Sequence, residues 1–207
     1  MQIEVDPVWC KKVSEHLRLQ PDMVMVGSVS TEEEAIRIIE QKKVDVIITD
    51  AVIADSAQYD GLDTIAKITR RKNVFVIVLS SVCNSKVITD SFCVGAINFI
   101  SKQNYKDLTD SIRDAYYQKI AIHSDAAPIL RKEFCKLKLE SLERLLTKNE
   151  RQVLAYLHEG YTKHKISEMM NVGFETTKTH VKHILSKLKV SSSKEAVRVA
   201  KRLGMFN

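Results

Sequence analysis

Two hydrophobic periods divide the chain. In the first 122 residues, short apolar runs at 23–29, 44–49, 74–79 and 96–100 alternate with blocks at 8–19, 31–42, 62–71, 85–93 and 105–118, where apolar residues recur three and four apart. That alternation predicts strands and helices in turn. The run VFVIVL at 74–79 has no polar member, as expected of a strand covered on both faces. The blocks therefore predict an α/β unit, a doubly wound, five-stranded parallel sheet wrapped by helices. Its first strand ends near Glu4 and is short, because the residues before it span only about 10 Å. Ligand chemistry in such sheets collects at the carboxyl ends of the strands.

Past residue 122 the strand signal stops. Residues 123–141 loosen around Asp125 and Pro128, then become charge-rich, the pattern of a linker whose second half can be helical. From 142 to 207 an all-α unit of four short helices is predicted. Thr147 and Glu150 form a capping box that opens the first, with Val153, Leu154 and Leu157 inside. Thr162 opens the second, with Ile166, Met169 and Met170 inside, and Asn171-Val172-Gly173 makes a turn. Ser192 and Glu195 form another capping box ahead of a last helix that buries Ala196, Val197, Ala200 and Leu203.

The third of these helices, ETTKTHVKHILSKL, has Val181, Ile184, Leu185 and Leu188 on one stripe. Lys178, Thr179 and Lys182 fall on the other side, within an arc of about 100° at helical spacing. Residues 163–182 have the form of a helix-turn-helix, which places its second helix in the major groove. Lysine donors suit guanine O6 and N7 or phosphate, and a Thr methyl suits a thymine methyl. Thr176 and His183 complete the candidate face, while Lys163, Lys165, Lys187 and Lys189 suit the DNA backbone. A solvated face of a small helical bundle shows the same spacing. His180 and His183 stand three apart, but no third metal ligand accompanies them.

Charge sharpens the picture because it is unevenly spread. The 207 residues carry a net charge of +6. From Arg144 onward there are 13 Lys and Arg against 5 Glu, so a basic domain of charge +8 follows an N-terminal part of charge −2. Such a surplus suggests a polyanionic partner. No C-x-x-C pair occurs among Cys10, Cys83, Cys93 and Cys135, so neither a zinc site nor a redox pair is indicated. The opening Met1-Gln2-Ile3-Glu4-Val5-Asp6 is not a signal or transit peptide, and no apolar run approaches a bilayer span. A cytoplasmic protein without membrane contact is expected.

Residues 144–207 resemble the LuxR/NarL-type DNA-binding domain. The resemblance rests on Leu146-Thr147, Glu150, Val153-Leu154, Gly160, Ile166, Lys178-Thr179-His180-Val181, Lys187-Leu188 and Ala196-Val197. It implies that Lys178, Thr179 and Lys182 occupy DNA-contact positions on a groove-reading helix, and that the last helix pairs two domains. Departures are Asn149, where Arg is usual, and Gly173, where a Ser cap is usual. Gly is only a few tenths of a kcal/mol worse as an N-cap, so the helix should form.

Residues 1–122 resemble the CheY-like receiver domain of response regulators, through Pro7, Leu17, Pro21-Asp22, Val26-Gly27, Asp45, Asp50, Leu79-Ser80, Gly95-Ala96 and Phe99-Ile100-Ser101-Lys102. The resemblance implies Asp50 as phosphoryl acceptor and Lys102 as its charge partner. It makes Ser80 the hydroxyl that follows the phosphoryl oxygen and Phe99 the aromatic that turns inward with it. A carboxylate nucleophile, a cation and a hydroxyl suit an acyl phosphate. Receivers usually end the first strand with two adjacent acids. Aligned on Pro7, this chain places Glu4 and Val5 there, with Asp6 next. A Mg2+ site on Glu4, Asp6 and Asp50 is therefore expected to be weak, because magnesium demands oxygen ligands in near-octahedral geometry. Gly61 lies eleven positions beyond Asp50, farther than is usual, and the loop between lacks the usual Met-Pro, so access to Asp50 or partner choice is expected to differ.

These readings imply a sequence-specific, DNA-binding transcriptional regulator of response-regulator type. It binds double-stranded DNA as a homodimer, and phosphorylation of Asp50 is weak or dispensable. The alternatives are a conventional regulator switched by a histidine kinase and an interaction adaptor that does not bind DNA. No motif supports turnover of a small substrate.

Overall fold

The computed structural model describes residues 1–52, 60–119 and 121–206. Two compact units emerge, Met1–Arg131 and Lys132–Asn207. The first holds a parallel sheet of order β2-β1-β3-β4-β5, built from β1 (Gln2–Ile3), β2 (Ser28–Val29), β3 (Val46–Thr49), β4 (Phe75–Ser80) and β5 (Asn98–Ser101). Between the strands run α1 (Pro7–Arg18), α2 (Glu32–Gln41), α3 (Asp60–Arg71) and α4 (Ser85–Cys93), with α5 (Leu108–Tyr116) after β5.

The unbroken VFVIVL run serves two cores. Val76 and Val78 face one, with Ile47, Phe99, Ala35 and Ile39 of α2, Ile65 and Ile68 of α3, and Val87 and Ile88 of α4. Ile77 and Leu79 face the other, with Val46, Ile48, Ile100, Val13 and Leu17 of α1, and Leu108 and Ala115 of α5. Successive side chains of a strand point to opposite faces, so a strand covered on both sides must be apolar throughout.

Three expectations for this unit change. The run at 23–29 yields only Ser28–Val29 as strand. It lies at the sheet edge, where its sole neighbour β1 is two residues long and can pair no more, and Val24 stays 85% exposed. The helix expected at 105–118 is split: a 3₁₀ turn spans Lys102–Asp107, capped by Ser101 through the Gln103 amide, and α5 starts at Leu108. The remaining strands begin one or two residues later than the apolar runs, and β4 and β5 also end one residue later.

The second unit is helical. The stretch expected as a linker is largely one helix, α6 (Ala127–Leu145), with Pro128 in its first turn, where a missing N–H costs nothing. Then come α7 (Lys148–His158), α8 (Lys163–Met170), α9 (Phe174–Leu188) and α10 (Ser193–Arg202). Their core contains Leu142, Leu146, Val153, Leu154, Ile166, Val181, Ile184, Ala196 and Ala200. Met169, expected inside, is 41% exposed. Asn171 ends α8 in the left-handed region at φ 51°, which its short polar side chain tolerates. Thr147 and Glu150 make the full capping box. The second box is half made: Ser192 accepts from the Glu195 amide, but the Glu195 carboxylate turns to Ser191.

Candidate functional site

Parallel register gathers four side chains at one sheet edge. Ile3 pairs with Thr49, Thr49 with Val78, and Ser80 with Ser101, so the residues just past β1, β3 and β5 emerge together with Ser80. Ser80 Oγ donates to Asp50 Oδ1 at 2.6 Å. Lys102 Nζ lies 2.7 Å from Asp50 Oδ2 and 2.7 Å from Glu4 Oε2. Phe99 is fully buried beneath. Gly61 packs so closely that a Cβ there would collide with the Asp50 carbonyl oxygen, which is a reason for glycine at that position.

Glu4, Asp50 and Lys102 are all buried, so two carboxylates share one ammonium in a poorly hydrated place. Burial pushes the Glu4 carboxyl above its ordinary range, against hydrogen bonds from Lys102 and the Asp6 amide. Burial pulls Lys102 down, but hydrogen bonds to Asp50 and Glu4 outweigh it and hold the ammonium above its ordinary value.

The expected trio of Glu4, Asp6 and Asp50 does not converge. Among the described residues, no group of three or more His, Cys, Asp or Glu is placed to hold a metal. Asp6 is the N-cap of α1, and its Oδ1 accepts from the Val8 amide at 2.8 Å. Val5, one position before, is 45% exposed. Asp50 Oδ1 takes Ser80 and the Val52 amide, while Glu4 Oε1 takes the Asp6 amide. Receiver domains commonly hold Mg2+ at the phosphorylation site. Here the donors amount to two carboxylates already engaged, with an ammonium between them, and they do not fit a cation that needs near-octahedral oxygens.

Sequence reasoning passed over Trp9. Its ring lies 5.2 Å from Lys102 Nζ and meets Tyr105 edge-on at 5.8 Å. As the only tryptophan, it is a built-in reporter for the pocket; only the spacing of α1 residues after Pro7 could have hinted at it. The altered loop between Asp50 and Gly61 falls chiefly on residues 53–59, outside the described residues.

In the helical unit, Lys178, Thr179 and Lys182 are exposed on the first turns of α9, as are Thr176 and His183. Lys163 and Lys165 are exposed at the start of α8. Carboxylates stand beside this face: Lys178 Nζ lies 3.0 Å from Glu175 Oε1, and Lys165 Nζ 3.0 Å from Glu168 Oε2. Thr179 Oγ1 donates to the Glu175 carbonyl at 3.0 Å, which commits its hydroxyl proton and leaves the methyl and, as an acceptor only, the oxygen. His164 of α8 stacks on Phe174 of α9, centroids 3.9 Å apart, bracing the two helices across their turn.

A second brace was equally unread. Glu150, 2% exposed, receives Lys187 Nζ at 2.6 Å and the Thr147 amide at 2.8 Å. His183 Nδ1 stands 3.8 Å from the same carboxylate. Burial raises the Glu150 carboxyl, yet Lys187 and Thr147 prevail and leave it below its ordinary range. Lys187, expected to serve the DNA backbone, thus anchors α9 to α7.

A five-stranded parallel sheet with Asp, Ser and Lys at its carboxyl edge, ahead of a basic helix-turn-helix, defines a two-domain signalling regulator. Residues 1–113 match the response regulator receiver domain, and residues 144–200 match the bacterial regulatory proteins of the luxR family. The chain belongs to the response regulators, with a receiver domain followed by a luxR-family domain. It is 27% identical to the response regulator protein VraR of Staphylococcus aureus over 187 residues, 89% of this chain and 87% of that one. The fold is similar to that of the RcsB response regulator of Salmonella typhimurium, with TM-score 0.59, 19% identity, and coverage of 97% and 96% of the two chains. It is similar also to RcsB of Salmonella enterica serovar Typhimurium bound to the promoter P1flhDC with phosphomimetic BeF3-, at TM-score 0.57, 19% identity, and coverage of 95% and 94%. Among the described residues, no helix is long and apolar enough to cross a membrane.

Proposed function

We propose that this response regulator binds double-stranded DNA as a homodimer in the cytoplasm through the exposed face of α9, and that its receiver works with little or no phosphorylation of Asp50. The first half is carried by Lys178, Thr179 and Lys182, which stand exposed together on a helix braced by Glu150–Lys187 and His164–Phe174. Promoter binding by RcsB, to which the fold is similar, supports it. Phosphate contacts supply most of the affinity, which falls steeply with salt. Base contacts from α9 supply selectivity. Selection of sequences from random duplex DNA by the full-length protein tests this half, and recovery of no enriched sequence leaves the adaptor reading instead.

The second half is supported by the bridging of Glu4 and Asp50 by Lys102 and by the capping role of Asp6. With Val5 in place of an acid, little is available to neutralise charge building on a phosphoryl group. The conventional reading, a histidine kinase donating to Asp50, draws support from the Asp50–Ser80 and Asp50–Lys102 contacts. Incubation with acetyl phosphate and magnesium, followed by intact mass, decides between them. No gain is expected. Stoichiometric gain of one phosphoryl group, lost in Asp50→Ala, establishes the conventional reading.

A further inference from the structure

The helix α6 has two apolar faces, and the fold uses only one of them beyond residue 132. Leu142 and Leu146, in the turn that follows, are buried in the helical core at 5% and 2% exposure. Phe134, Leu137 and Leu145 are 61%, 60% and 44% exposed, and Ser141 is exposed with them. The spacings along Phe134, Leu137, Ser141 and Leu145 are three, four and four, so at 100° per residue the four share an arc of about 80°. Leu142 projects about 80° round the helix from Phe134. The outer stripe is thus a separate seam: Phe134, Leu137 and Ser141 keep heptad spacing, and Leu145, four on, extends it with the eleven-residue period.

We infer that α6 pairs in parallel with α6 of a second copy of this chain through the seam of Phe134, Leu137, Ser141 and Leu145. Charge selects the occupant and its direction. Glu133, Glu140 and Arg144 flank the seam on one side and Lys138 on the other, and Glu140 pairs with Arg144 at 3.7 Å within the chain. In a parallel pair the two flanks of one helix meet the opposite flanks of its partner, so Glu133 of each copy faces Lys138 of the other. In an antiparallel pair like flanks meet, which leaves Lys138 of each copy without an acid opposite and sets Glu133 and Glu140 against a flank of mixed charge. Within one chain neither partner is strongly taken: Glu133 lies 3.6 Å from exposed Lys136, and Lys138 rests 5.5 Å over the Phe134 ring. A parallel arrangement also matches the two-fold symmetry of a dimer on paired half-sites.

The seam covers less than two heptads, so pairing by it alone is weak. It suffices where the copies are already held together, because the second contact is then intramolecular and sees a high effective concentration. The inference rests on the homodimeric reading above and assigns that dimer an interface.

Disulfide trapping in the full-length chain tests it. Cys10, Cys83, Cys93 and Cys135 are replaced by Ser, and a single thiol is placed at Ser141→Cys, Glu143→Cys or Phe134→Cys. Facing seam positions of a parallel pair lie within disulfide reach, whereas Glu143 projects away from the seam. On mild oxidation the Ser141→Cys chain should cross-link at least tenfold faster than the Glu143→Cys chain. Glu133→Lys should slow that reaction, and adding Lys138→Glu should restore it. Mixed Phe134→Cys and Ser141→Cys chains cross-linking faster than either alone would show antiparallel packing and overturn the inference. Dimers seen by sedimentation without preferential trapping at Ser141→Cys would also overturn it, while leaving the DNA-binding reading intact. A monomer that still enriches a DNA sequence overturns the pairing and the homodimer alike. Failure to enrich any DNA counts against the regulator reading alone.

Discussion

Lys187 Nζ stands 2.6 Å from Oε2 of Glu150. The same carboxylate completes the capping box that starts α7. One buried acid therefore sets where α7 begins and how α9, which carries the exposed Lys178, Thr179 and Lys182, lies against it.

Glu150→Gln should cost about 1.5–3 kcal/mol, the range for a hydrogen bond to a charged group. The folded-state pKa of Glu150 lies below its ordinary 4.5. Its contribution is then fully present above that value and is lost as pH falls through the depressed folded value. Denaturant titrations should show the difference between wild type and Glu150→Gln at neutral pH, shrinking as the pH drops below 4.5.

On the reading face, Lys182→Ala should weaken binding to a selected site by about 1–3 kcal/mol if it meets a base, and relax selectivity at that position. A phosphate contact would instead lower affinity for all sequences and reduce the salt slope by about one. Anisotropy titrations at several salt concentrations separate the two, and an unchanged affinity at matched salt would remove Lys182 from the face.

Thr179 makes a sharper case. Its hydroxyl proton is donated to the Glu175 carbonyl, so DNA meets the methyl or, as an acceptor only, the oxygen. Thr179→Val should keep selectivity, while Thr179→Ser should lose preference for thymine over cytosine at one position. The reverse ranking in a selection assay would show that the hydroxyl does the reading.

In the receiver pocket, Lys102→Met leaves Glu4 and Asp50 facing each other without a cation and should cost about 3–5 kcal/mol, the range for breaking a buried pair from one side. Glu4→Gln should be neutral or stabilising at neutral pH. The folded pKa of Glu4 is raised above 4.5. Its favourable contribution is present below that value and is lost as pH rises through the folded value. Lys102 is raised above 10.5, so its stabilisation holds below 10.5 and fades in stronger alkali. Thermal melts read by Trp9 fluorescence report both, because Lys102 lies beside that ring.

Asp6 separates capping from metal binding. Asn caps about as well as Asp, and Ala costs about 1 kcal/mol. Asp6→Asn should therefore leave stability unchanged and Asp6→Ala should lower it, as denaturant titrations read. A quenching of Trp9 fluorescence by magnesium that is present in the wild type and lost in Asp6→Asn would return Asp6 to the acidic pocket.

Much of the sheet could be read from the chain because a strand buried on both faces has no room for polar residues, as at 74–79. The two-residue β2 could not, since the length of an edge strand depends on what it pairs with. The helix-turn-helix was legible through Thr162, Asn171 and the apolar stripe of α9, all of them local signals. The salt bridge from Glu150 to Lys187 crosses 37 positions and leaves no periodic trace. Asp6 misled for a related reason: an acid beside a strand end and an acid capping a helix look alike until the backbone turns.

The resemblance to receiver domains implied Asp50 with Ser80 and Lys102 as the acceptor group; from the patterning of the sequence itself came the order of elements, the basic second half, and the face of Lys178, Thr179 and Lys182. Those follow from side-chain period, charge and short-range capping, which act over a few residues. Tertiary structure alone decided that Lys102 bridges two buried acids, that Asp6 serves α1, and that Glu150 holds α9. The first and last depend on which distant groups are brought within hydrogen-bond reach, where burial sets how strongly their charges bind, while the role of Asp6 depends on where the backbone turns into α1.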